Sequence, residues 1–560
     1  MKKLGTLVGN TGNITVSVAL LNSFSVRRGE FVRVQHRERE GGPELWVLGR
    51  IVSAKRENVM FDPKLGEGLA DVELVFEEPA GEMNFATMEI AGYKDPDTQE
   101  VRMPRRPLDP GGAVYAVDKE FLAEFYEYSP ESSIYLGNLV GYESGANVVP
   151  VYIDIDKIVT EHLAILAMTG SGKSYTVGRI IERMLSQANA SIVVFDPHGE
   201  YGAALRGGEL RFNSDEAIDG APDAEELRTL RRTIRQMQEE GGGIKVYTPN
   251  DTRFYHKYAN KCRGLALQLD QMDVDDLVEI FPDTSEAQQR VLGIALRYWI
   301  ENTTPPRDTN VLVSLLTERL GELAQWKQLY DSERKVLNER SASIVSLRLK
   351  RLLAEAKAFY EPGRDPFSAK EMVGALRASS TKDRLGRIAI IDLQGVPKNA
   401  AQVIVALIMN EILKAAADKE DPIAPVFVVI EEGHNFAPAK ESAVSKAVIK
   451  KTAAEGRKFG VGIGIISQRP SKLDPDVTSQ CNTIITMRIK NPDDQRFIRT
   501  SSDFFSEMDI QELPALSTGE ALVSGRAILA PLVVKVGTKL LVHGGESPRV
   551  AATWKSRRNV

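Results

Sequence analysis

An α/β core, preceded by a small β-barrel and interrupted by a helical insertion, is the fold predicted by three features of the sequence. The compact apolar runs HLAILA, SIVVFD, IKVYTP, RIAIID, PVFVVIEE, VGIGIIS and NTIITMRI have the composition of strands buried on both faces of a parallel sheet. Helix-periodic stretches such as SYTVGRIIERML and AQVIVALIMNEILKAA alternate with several of them. A glycine-rich loop joins the first of those runs to the first of those helices.

In chain order, residues 1–105 carry short β-like runs (ITVSVALL, EFVRVQHR, LWVLGRIVSA, DVELVFEE) separated by turn residues, which predicts the barrel. Residues 106–155 read as a linker and entry to the core, with the Pro/Gly-rich MPRRPLDPGG straddling their start. The core's first part is expected over 156–249 and its second over 386–536, where EALVSG and PLVVKV add strands. Between them, residues 250–385 have few strand-like runs and helical periodicity in QRVLGIALRYWI and SIVSLRLKRLLAEAKAFY, which predicts an inserted helical subdomain. Residues 537–560 read as a polar, basic C-terminal tail.

The 560 residues, 42% hydrophobic and 26% charged, suffice for a large core. No apolar run is read as reaching the roughly 18 residues of a membrane span, and MKKLGTLVGN lacks a signal-type segment, so a cytoplasmic protein without membrane contact is expected. Cys262 and Cys481 lie far apart without histidines at metal-ligand spacing, which argues against a disulfide framework or a zinc site. The net charge of −6 gives no sign of nucleic-acid binding, so any DNA contact must come from local cations.

Ala167-Met168-Thr169-Gly170-Ser171-Gly172-Lys173-Ser174 follows an apolar run and precedes a helix. This is the order a phosphate loop requires: backbone N–H groups converge on an anion at a helix N-terminus, and glycines permit the turn and the close approach. Gly170, Ser171, Gly172, Lys173 and Ser174 are therefore the candidate ATP-binding residues, with Lys173 reaching the β- and γ-phosphates and the Ser174 hydroxyl on Mg²⁺. Ala167 stands where the usual pattern has its first glycine, which is harmless if its φ is negative.

The strand VFVVI ends in Glu431-Glu432, and carboxylates at the carboxyl end of a parallel strand face the ligand crevice. Glu431 is assigned to the Mg²⁺ surroundings and Glu432 to the general base that deprotonates water. SIVVFD ends at Asp196, followed by His198 and Glu200; Asp196 and Glu200 are candidates to polarise water or hold the metal shell. Gln468, after GIGIIS, is placed to sense the γ-phosphate. Arg457, in EGRKFG at a helix end, is the candidate arginine finger for a neighbouring subunit; a solvated basic helix end is the alternative.

Taken together, MTGSGKSYTVG, FDPHGEY, VVIEEGHNFAP, EGRKFGVG, ISQRPSKLDPDVTSQCNT, NPDDQRFIR and GEALVSG resemble, in this order, the HerA family of DNA translocases within the HerA/FtsK group of P-loop ATPases. The match runs over most of residues 150–540, and the amino-terminal segment is similar in size and place to that family's barrel. The resemblance implies a RecA-like core, a homo-hexameric ring with ATP and Mg²⁺ between subunits, double-stranded DNA in the channel, and a NurA-type nuclease docked on the barrel face for end resection in recombinational repair. It implies the same roles for Lys173, Ser174, Asp196, Glu432, Arg457 and Gln468. Glu161-His162 departs from it, since a basic residue is expected beside the histidine.

For DNA phosphates the sequence offers Lys440, Lys446, Lys450, Lys451 and Arg469, near the catalytic elements; a solvated lysine face is the alternative. Two other function classes fit a phosphate loop: a motor that moves polypeptide or drives secretion or assembly, and a nucleotide-binding scaffold without hydrolysis, against which Glu432 argues.

Overall fold

The structure is a computed structural model that describes residues 1–22, 26–58, 82–98, 100–126, 129, 131–142, 148–271, 284–376, 385–502, 505–528 and 530–545. The expected strand DVELVFEE and residues 546–560 of the expected tail lie outside the described residues.

The N-terminal strands are β1 (Lys3–Val8), β2 (Thr15–Leu20), β3 (Phe31–His36), β4 (Leu45–Asn58), β5 (Glu82–Lys94), β6 (Val101–Arg102) and β7 (Ala113–Ala116). They form a seven-stranded sheet in the order β2-β1-β7-β3-β4-β5-β6, and β2 also pairs with β5, which closes a barrel. Val16, Val18, Val32, Val34, Val47, Ile51 and Met88 fill its interior. Pairing of β7 with both β1 and β3 carries the barrel past the boundary expected at residue 105. MPRRPLDPGG is thus a connection within the barrel, because the closing strand follows it.

The second sheet contains β8 (Ser133–Leu139), β9 (Pro150–Asp154), β10 (Leu163–Leu166), β11 (Ser191–Asp196), β12 (Gly243–Thr248), β13 (Arg263–Gly264), β14 (Arg387–Asp392), β15 (Val426–Ile430), β16 (Val461–Ser467), β17 (Thr483–Thr486), β18 (Glu520–Gly525) and β19 (Leu532–Val536). Its order is β13-β12-β14-β11-β15-β16-β10-β17-β18-β19-β8-β9. Every neighbouring pair from β13 to β17 is parallel, and every later pair is antiparallel. The central parallel strands β14, β11, β15, β16 and β10 are fully buried along their length, with core side chains on both faces. This is the α/β core expected, with β8 and β9, from the stretch read as a linker, forming its far edge.

β12 and β14 are direct neighbours, paired from Gly243↔Arg387 to Tyr247↔Ile391, so the chain between them is an insertion. It is mainly helical: Glu286–Asn302 starts at a Ser285/Gln288 capping box, and Glu339–Ala356 starts at the Asn338 side chain and stops at Lys357 in the left-handed region. The short β13 within it extends the sheet.

Two expectations are corrected. Helix Lys398–Ala417, with mean hydropathy 1.5 over its most apolar window, is long and apolar enough to cross a membrane by length and composition. That window is 67% buried inside the protein, with Val403–Met409 in the core. The described part of the C-terminal stretch is packed: Leu540 and Leu541 are buried, and their N–H groups donate to Glu182 at 2.8 and 2.9 Å. Barrel and core meet at Arg50 of β4, which pairs with the buried Asp509. Cys262 and Cys481 are free and buried.

Candidate active site

Strand register decides which side chains share the crevice. Asp196 pairs with Asp392, Phe195 with Ile430, Ile430 with Ile465, and Leu166 with Ser467. The carboxyl ends of β14, β11, β15, β16 and β10 therefore line one edge of the sheet. Along it stand Asp392, Asp196, Glu431-Glu432, Gln468 and the phosphate loop, from parts of the chain up to 300 residues apart in order of magnitude.

The phosphate loop opens helix Lys173–Ala188, whose first N–H groups have no intrahelical partner. Gly170 and Gly172 have φ of +78° and +106°, which an L side chain rarely adopts. A Cβ on Gly172 would also stand 3.1 Å from Met487 Cε. Ala167 is not among the left-handed positions, so its departure from the glycine pattern is harmless. Ser171 turns its hydroxyl inward to Met168 O at 2.6 Å and is fully buried, which leaves it stiffening the loop.

Lys173 Nζ donates to Glu431 Oε2 at 2.8 Å and Glu432 Oε1 at 3.1 Å. Burial opposes the lysine's charge, but the two carboxylates outweigh it and raise its pKa. Ser174 Oγ donates to Glu431 Oε1 at 3.2 Å. Glu432 has φ of +51°, a strained value for a side-chain-bearing residue. Its Oε2 is buried, accepts no hydrogen bond, and lies 3.4 Å from His434 Nδ1. His434 in turn meets Ser467 Oγ at 3.1 Å, and burial lowers its pKa. Thr169 Oγ1 donates to Gln468 Oε1 at 2.5 Å, so the expected sensor touches the phosphate loop.

The Ser174 hydroxyl and the Glu431 carboxylate form an oxygen-only set that fits Mg²⁺, which takes few protein oxygens alongside substrate phosphates. Among the described residues no group of three or more His, Cys, Asp or Glu would hold a metal by itself.

Asp196 is at the crevice, and both its oxygens accept from the loop that follows β11. Oδ1 accepts from Glu200 N at 3.0 Å, and Oδ2 from Tyr201 N at 2.9 Å and Gly202 N at 3.1 Å. Asp196 thus caps a loop with both of its oxygens. Burial, with the neighbouring Asp392, pushes its pKa up to about 7 against those N–H bonds. Glu200 lies against the C-terminal segment, where its carbonyl accepts from Gly544 N at 2.8 Å. His198 is half exposed, 3.8 Å from Glu432.

Sequence reasoning missed Tyr201, whose hydroxyl donates to Glu431 Oε1 at 2.8 Å, and Asp392, which holds Lys257 Nζ and the Tyr258 hydroxyl, each at 2.6 Å. RIAIID ends in aspartate as SIVVFD does, and that parallel was the available signal for Asp392.

Arg457 lies just before β16, on the sheet edge opposite the phosphate loop. It is exposed, and its side chain has no partner among the described residues. Lys440, Lys451 and Arg469 are exposed cations as well. Lys446 and Lys450 are not free: Lys446 pairs with Asp474 at 2.8 Å and Lys450 with Asp476. Glu161, beside His162, is buried, with Arg526 at 3.4 Å and Lys157 at 3.5 Å.

With this geometry in place, the comparisons agree on one relationship. A family model described as Helicase HerA, central domain, matches residues 134–412. The DNA double-strand break repair helicase HerA of Pyrococcus furiosus is 24% identical, covering 100% of this chain and 98% of its own. That of Sulfurisphaera tokodaii is 26% identical over 99% of this chain and 97% of its own. A probable helicase of Methanocaldococcus jannaschii is 26% identical over 94% and 89%. These relatives span the barrel, the phosphate loop and the strands carrying Glu432, Arg457 and Gln468.

Proposed function

Because the chain belongs to the HerA family, we propose that it is an ATP-driven DNA translocase and helicase that works as a homo-hexameric ring in the cytoplasm with a NurA-type nuclease in DNA end resection and recombinational repair. The relatives' role in double-strand break repair supports the DNA part of this reading. One observation carries the hydrolytic part: Lys173, Ser174, Glu431 and Glu432 converge within hydrogen-bond reach, with Gln468 held against the same loop.

ATP binding draws Lys173 from the carboxylates to the β- and γ-phosphates, while Gly170 and Gly172 let the loop's N–H groups close on them. Ser174 and Glu431 would hold Mg²⁺, which would supply positive charge against the phosphates. Glu432, released from the lysine, accepts a proton through Oε2 as water attacks the γ-phosphorus; the bond to the β-phosphate oxygen breaks and ADP leaves. Arg457 offsets the transition-state charge in the adjacent subunit's site. Lys440, Lys451 and Arg469 contact DNA phosphates, giving binding that is sequence-neutral and salt-dependent.

Steady-state ATP hydrolysis measured alone, with duplex DNA, and with unfolded polypeptide tests this reading. Stimulation by duplex DNA is expected. Stimulation by polypeptide and not by DNA would transfer the protein to the polypeptide-motor class.

A further inference from the structure

The FDPHGEY segment does more than end a strand: it delivers a buried phenol to the carboxylate assigned to the metal. Tyr201 is 4% exposed, and its hydroxyl donates to Glu431 Oε1 at 2.8 Å, the same oxygen that accepts from Ser174 at 3.2 Å. Glu431 Oε2 accepts from Lys173. The hydroxyl and the lysine therefore hold opposite oxygens of one carboxylate and fix its plane. When Lys173 turns to phosphate, Tyr201 remains on Oε1, and on Oε2 only the Glu432 N–H at 3.3 Å stays.

Tyr201 is itself held at both ends. Its backbone N–H and that of Gly202 are bound by Asp196, whose β11 is paired with β15, the strand that ends at Glu431. Gly202 lies against Tyr258: a Cβ there would stand 2.2 Å from the Tyr258 hydroxyl, which is bound to Asp392. Such support on rigid strand ends keeps a metal-binding carboxylate in one rotamer.

We propose that Tyr201 is a positioning residue that orients Glu431 for Mg²⁺ through its hydroxyl, with Asp196 acting through Tyr201 as the clamp of the loop that carries it. The proposal rests on the reading of Ser174 and Glu431 as the Mg²⁺ side of the ATP site. Without the phenol, Glu431 loses a hydrogen bond of the kind that tunes metal ligands, where removal weakens metal affinity by about 10-fold or more.

The test is binding of a fluorescent ATP analogue to the full-length protein, titrated with Mg²⁺ and repeated without metal, for wild type, Tyr201→Phe, Glu431→Gln and the double variant. Tyr201→Phe should raise the Mg²⁺ concentration at half-effect about 10-fold, with a much smaller change in metal-free analogue affinity. The shifts from Tyr201→Phe and Glu431→Gln should not add in the double variant, a non-additivity that general loosening of the fold does not produce. Asp196→Asn, which leaves the phenol in the chain but weakens its clamp, should shift the half-point in the same direction. If Glu431→Gln raises the half-point and neither Tyr201→Phe nor Asp196→Asn does, the positioning role is overturned while the site assignment stands. If Glu431→Gln leaves it unchanged as well, the assignment of Glu431 to the metal falls, and the proposal with it.

Discussion

Arg457 and Gln468 flank the same strand at opposite ends: Arg457 lies in the short helical turn Gly456–Phe459 that leads into β16 (Val461–Ser467), and Gln468 immediately follows it. Gln468 touches its own phosphate loop through Thr169, whereas Arg457 lies roughly 20 Å or more away at the opposite edge of the sheet. Within one subunit the arginine therefore stands outside the site whose transition state it is proposed to serve. Mixing Arg457→Ala subunits with Lys173→Ala subunits should restore part of the ATP hydrolysis that each lacks, because some mixed interfaces combine an intact loop with an intact finger. No recovery at any mixing ratio, with mixed assemblies verified, would remove the trans role.

Lys173 separates two buried carboxylates, so removing it affects folding as well as chemistry. Lys173→Ala should abolish turnover and lower the unfolding free energy by about 3 kcal/mol, since Glu431 and Glu432 then face each other without their cation. Adding Glu432→Gln should recover part of the stability and none of the activity. Glu432→Gln alone should cut kcat by about 10²- to 10⁴-fold while nucleotide binding persists. Chemical unfolding and steady-state kinetics read the two effects separately.

The cation positions divide into free and paired. Lys451→Ala and Arg469→Ala should lower the slope of log Kd against log salt for duplex DNA by about one per phosphate contact removed. Lys446→Ala should leave the slope near its starting value, because Lys446 already serves Asp474 and Pro438 O. Equal slopes for all three variants would place the DNA elsewhere.

His162 is buried with φ of +64°; its Nδ1 accepts from Ile463 N at 3.1 Å and its Nε2 donates to Ala453 O at 2.9 Å. That pairing requires the neutral ring, and burial lowers its pKa. The unfolded chain binds the proton more readily, so this contribution is present above the ordinary histidine pKa of about 6.5 and is lost as pH falls through the depressed folded value. His162→Asn, which keeps a polar acceptor without the titrating ring, should lower stability near neutral pH by about 1 kcal/mol and flatten the acid-side decline. An unchanged decline in the variant's unfolding midpoint with pH would assign it to other groups.

Sequence pattern found the phosphate loop, Glu432, Gln468 and the parallel strands because each rests on local chemistry: glycine φ, a carboxylate at a strand end, an apolar run. It was less successful wherever a contact crosses the chain. The barrel's last strand, β7, looked like linker because a strand of four residues carries little periodicity. Asp196 ends its strand as the other carboxylates do, and only tertiary structure shows loop N–H groups donating to both its oxygens. Lys446 and Lys450 looked free because Asp474 and Asp476 lie on a different element.

By itself, then, the sequence determined that this protein carries a nucleotide-phosphate loop on an α/β core and which carboxylates stand nearby, since backbone conformation and strand burial are written into short segments. Only the tertiary structure decided what each polar group does. A buried carboxylate can bind a lysine, a phenol or a row of backbone N–H groups, and the choice depends on strand register. Register brought Glu431 to Tyr201 and Lys173, put Asp392 beside Asp196, and left Arg457 on the far edge of the sheet.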